Sequence, residues 1–208
     1  MSVILAFLTA LVLIAFGWKR AKRSPEAQTQ VLVKRFVHSG HGWIRETEDG
    51  YVLVGMDDFA QSIIGSVHDV KLPRLLRRVH QGELAWEVWH GGRSLPMVSP
   101  VSGWVVEKNA MVLQNPALIN SAPYGDGWLF KVKPYNLGRQ TSNLLTGKPV
   151  VQWVQGLQEQ LTRVFSTTPA LMMQDGGMLV DNLAERCSEE EWKAVVRDFF
   201  HTETATNS

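Results

Sequence analysis

From Val31 to about Tyr135 no apolar pattern runs longer than a short strand before a turn signal breaks it. That spacing confines the region to a compact, mainly β domain of short strands. The segments 31-VLVKRFV-37, 43-WIRETEDGYVLVGM-56 and 67-VHDVKLP-73 read as strands, followed by 84-LAWEVWH-90, 103-GWVVEK-108 and 128-WLFKVKP-134. Asp49-Gly50 marks a hairpin turn because both residues tolerate the positive φ that tight turns need. The stretch 86-WEVWHGGRSLPMVSPVSGWV-105 reads as two strands around a Gly-Gly turn, then a Ser-Pro-Val-Ser-Gly corner. One short helix interrupts this pattern: Asp57 caps 58-DFAQSIIG-65 and Gly65 closes it. The segment 109–127 is too rich in Asn, Pro and Gly to be regular throughout.

After Tyr135 the periodicity becomes helical. Val150, Val151, Val154, Leu157, Leu161, Val164 and Phe165 form a stripe on one helix over 149–165. A second helix over 188–201 opens with Ser188 and Glu191, a capping-box pair, and presents Trp192, Val195, Val196 and Phe199. Its acidic first turn suits the helix dipole.

The N-terminal run 2-SVILAFLTALVLIAFGW-18 carries no charge and is followed by 19-KRAKR-23. As a helix it spans about 26 Å, close to the ~30 Å hydrocarbon core, and interfacial Trp18 with snorkelling Lys19, Arg20, Lys22 and Arg23 closes the gap. A cleaved signal peptide would carry positive charge before the apolar run and small residues after it; neither is present. The expectation is a single membrane anchor over 1–18 and a basic linker over 19–30, broken by Pro25. The positive-inside rule then places the rest on the cytoplasmic side of a bacterial inner membrane. The lone Cys187 precludes an intrachain disulfide and suits a reducing compartment.

Net charge is +1, which argues against nucleic acid as a partner. The basic segment 71-KLPRLLRRVHQGE-83 stands out: Lys71, Arg74, Arg77 and Arg78 form a patch for anionic lipid head groups or an acidic partner. His38 and His41 are spaced His-x-x-His, and His68, His80 and His90 are scattered, without the convergent ligands that a metal site needs. Asp57-Asp58 is explained by the helix start. No Ser-His-Asp signature, phosphate loop or Rossmann glycine run occurs. A non-enzymatic protein without metal or cofactor is expected.

Several segments taken together resemble the H-protein of the glycine cleavage system over about 31–135. The likeness runs through His41 and Trp43, 55-GMDDFAQSIIGSV-67, 72-LP-73, 82-GE-83, 99-SPVSG-103, Asn109 and 116-PALINSAPYGDGWLFKVKP-134. It implies a lipoyl-domain-like flattened β-barrel or sandwich, a barrel-sandwich hybrid. Here that domain carries an added N-terminal transmembrane helix and a C-terminal helical extension over 136–208. In the family a Glu-Ser-Val-Lys hairpin presents lipoyl-lysine. Ungapped counting from Gly82-Glu83 and from Ser-Pro-Val-Ser-Gly puts that tetrad on Trp89-His90-Gly91-Gly92, so Gly92 occupies the lysine position. The amide bond to lipoate needs a primary amine; Gly92 has none, and the Arg93 guanidinium is always protonated.

The expectation is therefore a membrane-anchored, non-lipoylated binding or scaffold module, an accessory or assembly subunit of a membrane complex. Trp89, His90, Gly91, Gly92 and Arg93 would form its contact tip. The alternatives are a lipoyl carrier whose attachment site lies elsewhere and a regulator that binds a small molecule in the old lipoyl groove.

Overall fold

The computed structural model describes residues 35–165 and 182–200. The expected anchor and linker, with Trp18, Lys19, Arg20, Lys22 and Arg23, lie outside the described residues. Among those described, no helix is long and apolar enough to cross a membrane.

Two antiparallel sheets form the body. The larger takes the order β1-β2-β3-β9-β8-β5, from Phe36–Val37 (β1), Gly42–Glu46 (β2), Val52–Met56 (β3), Phe130–Pro134 (β9), Gly103–Lys108 (β8) and Arg78–Val79 (β5). The smaller takes the order β4-β6-β7, from Asp69–Lys71 (β4), Leu84–His90 (β6) and Arg93–Val98 (β7). This is a mainly β architecture of short strands, as the turn spacing predicts. β5 is an additional edge strand inside the basic segment, paired to β8 through Arg78↔Trp104 and Val79↔Gly103. β9 begins at Phe130, two residues later than the pattern suggests. The preceding residues are held differently: the Asn109 side-chain amide donates to the carbonyls of Asp126 (2.7 Å) and Trp128 (2.6 Å).

Local chemistry places the helices. Asp58–Ile64 (α1) is capped by Asp57, whose Oδ1 accepts from the Ala60 N–H at 2.9 Å. The 109–127 segment yields Ala110–Gln114 (α2), capped by Asn109, and Leu118–Ser121 (α3). Leu137–Thr141 (α4) leads to Lys148–Phe165 (α5), and the C-terminal segment forms Leu183–Arg186 (α6) and Glu189–Phe200 (α7). The Ser188–Glu191 capping box is realised in both directions, at 2.7 Å and 3.3 Å.

The C-terminal helices are part of the body. Leu161, Phe165, Trp192, Val195, Phe199 and Phe200 share one contiguous core with Ile44, Val54, Phe59, Val88 and Phe130. On α5 the expected stripe is corrected at two positions. Val151 is 37% and Val164 48% exposed, because each sits about a quarter turn from a buried neighbour, Val150 or Phe165. Trp153 joins the inward face instead, packing beside Val150 against Val37, Trp43 and Leu53.

One close approach fixes the β2–β3 pair. Trp43 is fully buried, lies opposite Gly55 and donates its indole N–H to the Met56 carbonyl at 3.1 Å. A Cβ on Gly55 would lie 2.2 Å from the Trp43 ring, so only glycine admits the indole there.

Candidate functional site

β6 and β7 pair down to His90↔Arg93, leaving Gly91-Gly92 as a two-residue turn. Their φ values, +54° and +83°, are both left-handed. A type I′ hairpin turn needs positive φ at both central residues, which glycine supplies without strain. Nothing lies within 4 Å of a Cβ placed on either residue, so backbone conformation rather than crowding calls for glycine here. The turn and both its strands contain no lysine. The chemistry present therefore does not fit lipoyl attachment at this hairpin: no amine is available, and a side chain at position 92 would adopt a disfavoured φ.

The flanks of the turn are engaged within the chain. His90 is 5% exposed; its Nδ1 faces the Ser66 carbonyl and its Nε2 lies 2.6 Å from Glu185 Oε1 on α6. Both neighbours are acceptors, so the ring satisfies them together when both nitrogens carry hydrogen. His68 stacks on the same ring at 4.9 Å. The His90 hydrogen bond, supported by one from Asn182, holds the Glu185 carboxyl below its usual range. Arg93 donates to the carbonyls of Cys187 (2.6 Å) and Ser188 (3.2 Å) at the α6–α7 junction. Its guanidinium also lies 3.5 Å from Glu189 and over the Trp192 ring, 5.8 Å from the centroid. Trp192 in turn donates its indole N–H to the Ser94 carbonyl at 3.1 Å.

The structure thus corrects the expected contact tip. Only Gly91 and Gly92 are exposed; Trp89 is half-buried beside Asp69 and Ser94 of the flanking strands, and His90 and Arg93 are committed to α6 and α7. The flanks of the turn are engaged by the chain's own C-terminal segment. The acidic run Glu185 to Glu191 facing Arg93 is the sequence signal that could have suggested it.

Lys71, Arg74, Arg77 and Arg78 are all exposed. Lys71 lies opposite Glu87 of the hairpin strand β6, whereas Arg78 is on β5 in the larger sheet, opposite Trp104.

His41 is a core residue. It is fully buried with φ +63°, its Nδ1 lies 2.9 Å from Asp57 Oδ2, and its ring stacks on Phe59 (4.6 Å) and Trp153 (4.9 Å). Asp57 therefore holds both the N-terminus of α1 and the imidazole, a structural tie between β2, α1 and α5. Nearby, burial pushes the Tyr124 phenol far above its usual range, with the Asp58 and Asp57 charges adding to the effect. Among the described residues no group of three or more His, Cys, Asp or Glu side chains could hold a metal ion.

Comparison with known proteins assigns this architecture. The family model "Glycine cleavage H-protein" matches residues 35–156. A probable glycine cleavage system H protein 1 of Saccharolobus solfataricus is 30% identical over 126 residues, 61% of this chain and 92% of that protein. The glycine cleavage system H protein of Saccharophagus degradans is 42% identical over 97 residues, 47% of this chain and 75% of that protein. The crystal structure of a glycine cleavage system H protein from Mycobacterium marinum superposes with a TM-score of 0.52 at 32% identity. It covers 61% of this chain and 98% of that one. The family match ends within α5, so the α6–α7 segment that engages the hairpin lies beyond it. With a match over more than half its length, this chain belongs to the glycine cleavage H-protein family.

Proposed function

We propose that this chain is a non-lipoylated binding module built on the H-protein scaffold. It would be tethered to the bacterial inner membrane by residues 1–18 and serve on the cytoplasmic side as an accessory or assembly subunit of a membrane protein complex. The divisions that go with this reading are the anchor, a basic linker over 19–30, the H-protein-like domain over 31–135 and the helical extension over 136–208. H-proteins are carriers and not catalysts, and the module carries out no reaction of its own.

The observation that carries this reading is the Gly91-Gly92 turn. It has no amine, its left-handed φ values disfavour one, and its flanking His90 and Arg93 are already engaged by α6 and α7. A swinging arm needs an attachment amine and free flanks; here the exposed turn offers no amine and its flanks are held from within the chain.

A second reading is favoured by the comparisons: the relatives named above are all glycine cleavage system H proteins, which speaks for a carrier with its attachment site displaced. The lysine best placed for it is Lys71, exposed on β4 and directly opposite Glu87 of the hairpin strand β6.

Intact-mass measurement of the chain from cells that contain lipoate ligase separates the two. The binding-module reading expects the unmodified mass. A lipoyl-sized increase that disappears in Lys71→Arg establishes the displaced carrier instead.

A further inference from the structure

At the edge of the large sheet, Arg78 on β5, Trp104 on β8 and Lys133 on β9 lie directly opposite one another across successive strands. Directly opposed residues of antiparallel strands project from the same face, so the three form one cross-strand row. All three are exposed, Trp104 by 44%. Immediately before β5 the chain turns through Leu75 and Leu76, which are 53% and 75% exposed. Leu76 is held at φ +60°, a conformation disfavoured for a branched side chain. Its N–H donates to the Val105 carbonyl at 2.8 Å, and the Val105 N–H donates to the Arg77 carbonyl at 3.0 Å. The turn is thus pinned to β8 beside Trp104 with both leucines turned outward.

Arg74 and Arg77 bracket the two leucines in the chain, Arg78 and Lys133 flank Trp104 in the sheet, and all four are exposed. Among the described residues none of the four forms an ion pair. Lys71, on β4 of the other sheet and opposite Glu87, is not part of this row.

We propose that this face, formed by the 74–77 turn, Arg78, Trp104 and Lys133, is a bilayer-contacting surface selective for anionic phospholipid. Exposed apolar groups ringed by polar ones mark an interaction site. Here the ring is uniformly cationic and without carboxylate partners, which is the charge complement of an anionic leaflet. Leucine and tryptophan side chains enter the headgroup region while arginine and lysine reach the phosphates around them. The proposal rests on the membrane-tethered reading for its setting: a tethered domain meets the leaflet continually, and this surface would fix the face it turns toward it.

The test uses the full chain, reconstituted with phosphatidylcholine vesicles and with vesicles containing about a third phosphatidylglycerol, both carrying brominated acyl chains. Tryptophan quenching is compared between the wild-type chain and Trp104→Phe. Quenching greater on anionic than on neutral vesicles is expected, and Trp104→Phe removes that difference. Combined Arg74→Glu and Arg77→Glu lowers the affinity of this contact by about tenfold or more. Leu75→Ser with Leu76→Asn also weakens it, since asparagine tolerates the positive φ and keeps the turn. Circular dichroism establishes that each variant is folded.

Resistance to alkaline extraction, measured in parallel, reports on the tether alone. A chain that stays in the vesicles but shows equal quenching with and without Trp104, or no response to anionic lipid, overturns the proposal. A chain that washes off neutral vesicles yet binds anionic ones through these residues removes the tether reading and leaves the surface standing. Protection of Trp104 by an acidic protein but not by anionic vesicles also overturns it.

Discussion

The imidazole of His90 and the carboxylate of Glu185 meet at 2.6 Å although 95 residues separate them in the chain. One belongs to the β6–β7 hairpin, inside the family match, and the other to a segment beyond it. With Arg93 reaching the Cys187 and Ser188 carbonyls, the pair closes the hairpin flanks against α6 and α7.

This contact is pH-sensitive on the acid side. Glu185 is held below its ordinary value of 4.5, first by the His90 hydrogen bond, so the folded state binds the ionised form more tightly than the unfolded chain does. Its contribution is fully present above that ordinary value and is lost as pH falls through the lower folded value. Amide exchange at residues 183–187 should therefore speed up relative to the core as pH drops below about 4.5, once the intrinsic acid dependence is divided out. Glu185→Gln should flatten this local response. An unchanged profile in the variant would assign the opening to other carboxylates.

Arg93 supplies the second contact. Its guanidinium is mostly buried and satisfies two backbone carbonyls, so Arg93→Ala should cost about 1–2 kcal/mol, read as a lower denaturation midpoint with unchanged slope. Exchange at Ser94 and across the α6–α7 junction should rise more than in β2 and β3. A uniform rise throughout the chain would mean that the hairpin and helices do not separate as a local unit.

Asp57 performs two tasks with two oxygens, capping α1 and holding His41. In Asp57→Ala the helix loses its cap, and a fully buried imidazole loses the partner of its Nδ1, together costing about 3 kcal/mol. Asp57→Asn should recover part of this, because the amide oxygen can still accept one of the two hydrogen bonds. Equal losses in the two variants, measured by urea unfolding, would show that charge rather than hydrogen bonding is what matters.

How much of this was legible in the sequence follows the range of the interaction concerned. Asp57, Gly65, Ser188 and Glu191 announce helix ends because capping acts within one turn of chain. Leu84–His90 and Gly103–Lys108 coincide with the segments that their alternation marks out. Gly91-Gly92 likewise specifies its own turn. The engagement of His90 and Arg93 could not be read this way. It depends on where Trp192, Phe199 and Phe200 bury themselves, and that is settled by packing of the whole core. The same holds for Trp153, which lies outside the simple apolar stripe of α5 yet stacks on His41. The left-handed φ of Leu76 goes with a hydrogen bond from its N–H to the Val105 carbonyl, a contact between distant segments that local patterning does not reveal.

Cys187 offers a chemical reading of the same closure. The thiol is buried, donates to the Leu183 carbonyl at 2.9 Å, and is pushed above its ordinary value of 9.0 chiefly by burial, with Arg93 opposing the shift. At pH 8 it should be almost wholly protonated, and the thiolate is the reactive form. Alkylation by iodoacetamide in the native chain should therefore be slower by about tenfold or more than in denaturant. Glu185→Gln should accelerate it by loosening α6 while leaving Arg93 in place, so that a faster rate reports opening rather than a lost positive charge. Arg93→Ala combines greater access with removal of the charge that favours thiolate, and should accelerate alkylation less than its loss of stability alone would give. Native labelling as fast as denatured labelling would mean that α6 is not seated against the hairpin in solution.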